Sequence, residues 1–373
     1  MKIVIDNKIP YIKGVFEPYA KVVYLPGHLT TRDMVKNADA LITRTRTICD
    51  RNLLEGSKVK LIASATIGFD HIDTDYCKTA GITWINAPGC NAESVNQYIA
   101  SALCSYSRRN GYTLKGKTIG VVGVGQVGSR VAKTCEILGM DVLLNDPPRQ
   151  RSEGSSQFDL LKTIKEQADI ITFHVPLNMK GIDRTYHMVN TEFLDGLNRA
   201  PLIINTCRGE VFESRAIYKA KISGVLEGII IDCWENEPGP DPGLLKLVDY
   251  ATPHIAGYSK DGKAKGTQMS VRAISKYFGL GIDDWKPAGV ELPLNPFIEL
   301  EGSHQGDEKI LAEAILSTYE IERDDRALRD NPQFFEQLRG DYPVRREFDS
   351  YSIRATDIEP ELMEKLRLLG FKR

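Results

Sequence analysis

Three side chains in the second half of the chain have the chemistry to move a proton beside an anion. Arg208 ends the run Leu202-Ile203-Ile204-Asn205-Thr206-Cys207 and precedes Gly209, Glu237 lies in Asp232-Cys233-Trp234-Glu235-Asn236-Glu237-Pro238, and His254 follows Ala251-Thr252-Pro253. A guanidinium grips a carboxylate through two parallel hydrogen bonds and polarises the oxygen beside it. Histidine changes charge near neutral pH and accepts a hydroxyl proton, while a neighbouring carboxylate orients the ring and favours the imidazolium that forms. Singly, each has a plain alternative: a surface arginine pair, a solvated glutamate, a hydrogen-bonded loop histidine. Jointly they meet the needs of oxidising a 2-hydroxy acid, which further requires a hydride acceptor.

An acceptor site is legible upstream. Gly123-Val124-Gly125-Gln126-Val127-Gly128 fits G-x-G-x-x-G, follows the apolar run Ile119-Gly120-Val121-Val122, and precedes a helical pattern of Val131, Ala132, Cys135 and Leu138. Such glycines allow the tight turn, the approach of backbone to a pyrophosphate, and helix-on-strand packing, and the helix N-terminus offers unpaired N–H groups. Asp146 falls 23 positions after Gly123 at the end of the next strand signal, where an acid takes the ribose hydroxyls and repels a 2′-phosphate. NAD is therefore expected rather than NADP, with Arg149 and Arg151 as the residues that would serve NADP instead. The alternative is a glycine-rich turn beside an unrelated surface aspartate.

Positioning these groups takes parallel sheet. Short apolar runs recur at Ile3-Val4-Ile5, Val22-Val23-Tyr24, Ala40-Leu41-Ile42, Lys60-Leu61-Ile62-Ala63 and Ile82-Thr83-Trp84-Ile85, then again from Ile119 through Asp141-Val142-Leu143-Leu144, Asp169 to Phe173, Leu202 to Ile204 and Gly228 to Ile231. Apolar runs alternating with helical patterns predict βαβ units whose sheets are covered on both faces. The predicted class is α/β: two doubly wound parallel-sheet (Rossmann/flavodoxin-like) domains. Arg208, Glu237 and His254 each follow a strand signal of the second series, at the carboxyl ends where open parallel sheets bind ligands. Asn91 to Ser107 predicts a helix leading into the second domain, and Gly262 to Gly279 one returning to the first. The expected domains are residues 1–98 with about 259–284, residues 99–258, and a C-terminal extension, 285–373. In the extension Glu308 to Ile321 and Glu361 to Leu369 predict helices, Tyr351 to Arg354 a strand, and the charged run Glu322 to Asp330 a solvated helix or loop.

Composition narrows the function classes. Lysine plus arginine number 48 and aspartate plus glutamate 50, a net charge of −2, so no global field draws the chain to nucleic acid or an anionic membrane. No stretch reaches the ~18 apolar residues of a membrane span, and the first residues lack a signal-peptide core. The seven cysteines are odd in number and never paired as C-x-x-C, which predicts free thiols in a reducing, cytoplasmic compartment. His71, between Asp70 and Asp73, and His174, ending a strand, invite a metal or a second acid–base role. Helix capping by the aspartates and a structural histidine are the expectations, since hydride transfer needs no metal.

Thr206-Cys207-Arg208-Gly209, Glu237-Pro238 and Pro253-His254-Ile255-Ala256-Gly257, with the Gly123–Gly128 loop, resemble the D-2-hydroxyacid dehydrogenase family. Thr43-Arg44-Thr45-Arg46-Thr47, Ala65 to Asp73, Asn86 to Ala92, Asn145-Asp146-Pro147-Pro148 and the C-terminal extension resemble a branch of it that handles a phosphorylated substrate. The resemblance implies NAD-dependent oxidation of a four-carbon 2-hydroxy acid phosphorylated at C4, within pyridoxal phosphate biosynthesis, with hydride leaving C2 and His254 as base. It implies Arg208 on the carboxylate, Glu237 as partner of His254, and cofactor contacts from Gln126, Val127, Asp146, Val175, Thr206, Cys207, Arg208, Asp232 and Gly257. It places substrate contacts at Thr45, Thr66 and Tyr258, a hinge at the Asn91–Ser107 helix and near Ser259, and homodimer formation in an α+β extension. Ser64 and Phe69 depart from the small residues expected in that stretch.

Such a substrate carries a charge of about −3 near neutral pH. Arg208 answers only the carboxylate, so Arg44 and Arg46, flanked by threonines, are the candidate phosphate cations, one of them sufficing. Competing readings are a dehydrogenase for 3-phosphoglycerate or glycerate, and a scaffold that senses NADH without turnover.

Overall fold

In the computed structural model, which describes residues 1–154, 156–302 and 306–373, strands form where the apolar runs predict them. One unit comprises Met1–Asn91 and Ser259–Glu291. Its strands β1 (Lys2–Asp6), β2 (Lys21–Leu25), β3 (Ala40–Thr43), β4 (Leu61–Ser64) and β5 (Thr83–Ile85) lie in the order β2-β1-β3-β4-β5, every neighbour parallel. Side chains alternate between faces, so two cores form. Val4, Leu41 and Ile62 pack with Val35, Leu53 and Cys77 on one face, while Ile3, Ile5, Ile42 and Ala63 meet Val271 and Ile274 on the other. The latter two come from the helix Lys260–Phe278, capped by the Ser259 hydroxyl, which accepts from the Gly262 N–H. Gly266 lets that helix settle on the strand end: a β-carbon there would lie 2.5 Å from the Ala65 carbonyl oxygen.

The other unit comprises Ala92–Tyr258 and Leu292–Arg373. Strands β6 (Thr118–Val122), β7 (Asp141–Asn145), β8 (Ile170–Phe173), β9 (Leu202–Asn205), β10 (Gly228–Ile231) and β11 (Tyr250–Ala251) are ordered β11-β10-β9-β8-β6-β7, again all parallel. The order reverses between β6 and β8, the crevice where doubly wound sheets take ligands. β11 is too short to stand out as a periodic pattern. The helix Ala92–Asn110 is apolar on the expected face at Val95, Ile99, Ala102 and Leu103, yet Ser94, Gln97, Ser101 and Ser105 are buried too. The C-terminal extension covers that second face: Gln97 donates to Thr318 Oγ1 and the Arg346 carbonyl, and Ser101 to the Tyr319 carbonyl.

The extension pairs β12 (Phe297–Glu301) with β13 (Ser352–Thr356) in parallel and adds helices Asp307–Thr318, Ile321–Asp330 and Pro360–Leu369. Its Ile310, Ile315, Ile353 and Leu366 share one core with Ile99, Ile119 and Ile204. The charged run is a helix, solvated on one face at Arg323, Arg326 and Asp330 but buried on the other, which corrects the expectation of a wholly solvated element. Asp324 is buried and accepts from the Tyr319 and Tyr342 hydroxyls at 2.9 and 2.6 Å, and Asp325 accepts the Ala251 N–H at 2.7 Å. Arg329 donates to the carbonyls of Leu245 and Val248. The edge strand β11 and the end of the helix Pro242–Leu247 supply unmatched backbone groups, and the charges of this helix satisfy them. All seven cysteines are buried free thiols. Among the described residues no helix is long and apolar enough to cross a membrane.

Candidate active site

The glycine loop is shaped by three different demands. Gly123 has φ +90°, and a β-carbon there would lie 2.8 Å from the His174 carbonyl; one on Gly128 would lie 1.9 Å from the Gly123 oxygen. Both contacts lock the turn between β6 and the helix Gly128–Ile137. Gly125 differs: nothing lies within 4 Å of a β-carbon built on it. Its exposed backbone leaves the approach that a pyrophosphate needs, so the loop fits a dinucleotide by shape as well as by pattern. Gln126 is exposed and Val127, half-buried, precedes the first helical residue.

Asp146 holds this loop to the next strand. One carboxylate oxygen accepts the Val124 N–H at 2.9 Å, and the other accepts the Arg149 N–H at 3.1 Å and so caps the helix Pro147–Glu153. The two arginines that would serve NADP are both engaged: Arg149 makes a two-pronged pair with Glu153 and donates to the Val124 carbonyl, and Arg151 pairs with Asp183. Across the reversal, Val175 packs against Gly123, and the half-buried Thr206 bonds the His174 ring.

The acid–base pair is formed as a direct contact. His254 Nδ1 lies 2.9 and 2.8 Å from the two Glu237 carboxylate oxygens, one of which also accepts the Trp234 N–H at 3.0 Å. Burial works to raise the Glu237 carboxyl, but the hydrogen bond from His254, attraction to the imidazolium that ring forms when protonated, and the Trp234 N–H outweigh it and hold the group below its ordinary value. An ionised carboxylate only accepts, so Nδ1 carries the hydrogen and Nε2 is left as the base. His254 sits at φ +55°, a left-handed conformation rare for a non-glycine residue. Asp232 enforces it: fully buried, it accepts from the Thr252 hydroxyl and the Ile255 N–H at 2.7 Å and from the Ala256 N–H at 2.9 Å. Burial pushes its carboxyl up against these bonds and the His254 charge. In this structure Asp232 therefore anchors the histidine loop. Cys233, also buried beside Glu237, is raised well above an ordinary thiol by desolvation and stays neutral.

Arg208 is brought beside these loops by residues that no motif announced. The buried Asn205 side chain accepts the Cys207 N–H and donates to the Arg208 carbonyl, bridging the turn. Gly209 rests against the backbone of Trp234. Tyr98 donates to, or accepts from, the Thr252 hydroxyl at 2.7 Å, extending the Asp232 network into the long helix. Asn205 was visible only as a polar residue ending an apolar strand. Gly257 and Tyr258 follow the histidine, both half-buried, in a turn closed by the Tyr258 N–H on the Ile255 carbonyl.

In the first unit Arg44, Thr45 and Arg46 occupy a turn after β3, closed by the Thr47 N–H on the Arg44 carbonyl, rather than a continued strand. Arg44 is half-buried, and Thr45 and Arg46 are exposed. Thr66 bonds Ser64 and the Gly68 carbonyl. His71 is buried against Thr43 and Ser64, and burial lowers its ring below the ordinary histidine value. Asp73 caps the following helix by accepting the Tyr76 N–H. His174, held by Thr172 and Thr206, is pushed down to about 3 by desolvation. Both rings are neutral, hydrogen-bonded members of the fold.

Residues 91–256 match the family described as D-isomer specific 2-hydroxyacid dehydrogenase, NAD binding domain, and residues 292–370 match one described only as a domain of unknown function. The chain is 51% identical to an erythronate-4-phosphate dehydrogenase of Bacteroides fragilis over 357 residues, 95% of this chain and 100% of the relative. It is 43% identical to one of Porphyromonas gingivalis over 372 residues, 99% and 100% of the two chains. The fold is similar to that of a D-lactate dehydrogenase of Aquifex aeolicus complexed with NAD and lactic acid, with a TM-score of 0.61 at 24% identity over 76% of this chain and 97% of the other. With the glycine loop, the acid–base pair and identity on this scale across whole relatives, the chain belongs to the erythronate-4-phosphate dehydrogenases, within the D-isomer-specific 2-hydroxyacid dehydrogenase family.

Proposed function

We propose that the protein oxidises 4-phospho-D-erythronate at C2 to the 2-oxo acid, with NAD, on the route to pyridoxal phosphate. The observation that carries the reading is the double contact of His254 Nδ1 with Glu237, which leaves Nε2 as the base. Arg208 binds the substrate carboxylate and polarises the C2 oxygen. His254 Nε2 takes the C2 hydroxyl proton, and Glu237 stabilises the imidazolium that results. NAD, held by Gly123–Gly128, Asp146, Val175, Thr206–Arg208, Asp232 and Gly257, supplies the hydride acceptor when bound. To the phosphate we assign Arg44 or Arg46, and to the substrate more generally Thr45, Thr66 and Tyr258.

The reading extends to a homodimer in the cytoplasm. Leu292, Leu294 and Phe297 of the extension are 76%, 100% and 49% exposed, apolar surface that a second copy would cover. Seven free thiols suit a reducing compartment.

The test is NADH formation by the purified protein from 4-phosphoerythronate, 3-phosphoglycerate and glycerate. Highest kcat/KM on the first is expected. Preference for 3-phosphoglycerate would overturn the substrate, and saturable NADH binding without turnover of any would favour a sensor.

A further inference from the structure

The extension carries two arginines onto the loop that follows His254, and their environments differ. Arg345 is buried, packs over the Tyr319 and Tyr342 rings at 4.7 and 5.8 Å, and donates through Nη2 to the carbonyls of Ser94 and Ala256, while its Nε and Nη1 are buried with no partner among the described residues. It fastens the loop. Arg339, on the short helix Phe335–Gly340, keeps about a fifth of its side chain exposed. Its guanidinium carbon lies 5.8 Å from the centre of the Tyr258 ring, which Tyr342 packs edge-on at 6.0 Å from the other side chain's ring. Among the described residues its hydrogen-bond partner is the exposed Glu336, reached by Nη1 at 3.2 Å, while its Nε is buried with no partner.

A guanidinium offers five donors in a fixed fork matched to carboxylate or phosphate oxygens. A buried N–H without an acceptor is costly and marks a place where a bond is missing. The charge also reaches the site, helping to hold Glu237 ionised. With Arg208 assigned to the carboxylate, a cation beside Tyr258 has the substrate's phosphate as its counterpart, in addition to the arginine already proposed for that group, Arg44 or Arg46.

We propose that Arg339 is a specificity-determining residue of the active site, contributed by the C-terminal extension, whose guanidinium binds the phosphate of the substrate. The proposal rests on the dehydrogenase reading above. It gives the extension a part in substrate choice in addition to any part in assembly.

The experiment measures NADH formation by the full-length protein and its Arg339→Gln and Arg339→Lys variants, with 4-phosphoerythronate and with unphosphorylated erythronate, and inhibition by inorganic phosphate. Arg339→Gln is expected to cut the selectivity for the phosphorylated acid, the ratio of the two kcat/KM values, about a hundredfold, mostly through KM, and to raise the inhibition constant of phosphate. Arg339→Lys is expected to recover part of the loss, because a point charge still meets a phosphate. Losses that fall equally on both substrates, with a shifted pH profile of kcat, would instead make Arg339 a positioning residue for Glu237 and overturn the proposal. So would an unchanged ratio at full activity. Failure of the parent protein to turn over either acid would overturn the dehydrogenase reading itself, which the variants do not test.

Discussion

A β-carbon on Gly209 would lie 2.0 Å from the Trp234 carbonyl carbon, so the turn that carries Arg208 rests directly on the backbone of the loop that carries Glu237. Two strand ends, β9 and β10, are thereby held at a spacing only a residue without a side chain permits. Gly209→Ala must separate them. We expect a loss of kcat of about a hundredfold from the displaced arginine, and a destabilisation of about 1–3 kcal/mol from overpacking. Steady-state kinetics and urea unfolding check this, and a variant with normal kcat would show that the contact does not set the position of Arg208.

The glycine loop offers a paired comparison. Gly125→Ala meets open space, whereas Gly128→Ala drives a methyl group into the Gly123 oxygen. The first variant should keep the parent melting temperature and bind NAD at least about tenfold more weakly, because the methyl obstructs the pyrophosphate. The second should lose stability before any ligand is added. Thermal unfolding with and without NAD separates the two, and equal behaviour would remove the assignment of Gly125 to the phosphates.

Asp146 has two duties that one substitution can divide. Asp146→Ser keeps an acceptor for the Arg149 N–H and therefore most of the helix cap, but removes the charge facing a 2′-phosphate. The expected result is weaker NAD binding, relatively better use of NADP, and a stability loss under about 1 kcal/mol. An unchanged NAD to NADP preference would mean the ribose is read elsewhere.

Burial keeps His71 below its ordinary value of 6.5 in the folded chain, so the unfolded chain binds a proton that the folded chain refuses. The sign follows: stability is full above about pH 6.5 and declines as pH falls below it, by at most about 1.4 kcal/mol per pH unit. His71→Gln retains an amide facing Thr43 and Ser64 and cannot take that proton. Urea midpoints at pH 7 and pH 5 should differ less in the variant than in the parent. An equal difference would assign the acid sensitivity to other groups.

The strands β1 to β10 and the long helices were legible because each is a local pattern: apolar runs such as Leu202–Ile204, and helical spacing such as Val95, Ile99, Ala102. β11 and β12 were not, the one only two residues long, the other alternating through Phe297–Glu301 in a proline-rich stretch. The run Glu322–Asp330 reads as solvated by composition, and the fold buries Asp324 because two tyrosine hydroxyls and the backbone of β11 require acceptors there. Likewise no local pattern records that the extension covers Ser94, Gln97 and Ser101 of the helix Ala92–Asn110.

What the sequence alone determined was the chemistry on offer: a glycine loop of dinucleotide type, an acid 23 positions beyond it, and an arginine, a glutamate and a histidine each placed after a strand. Residue type and strand order suffice for that, since parallel sheets present loops at one edge. Only the tertiary structure decided how those loops meet. The buried Asp232 that fastens the left-handed His254, the seat of Gly209 on the Trp234 backbone, and Arg339 of the extension over Tyr258 are long-range contacts. Their partners lie tens to hundreds of residues apart, and no local pattern records which strand end will face which.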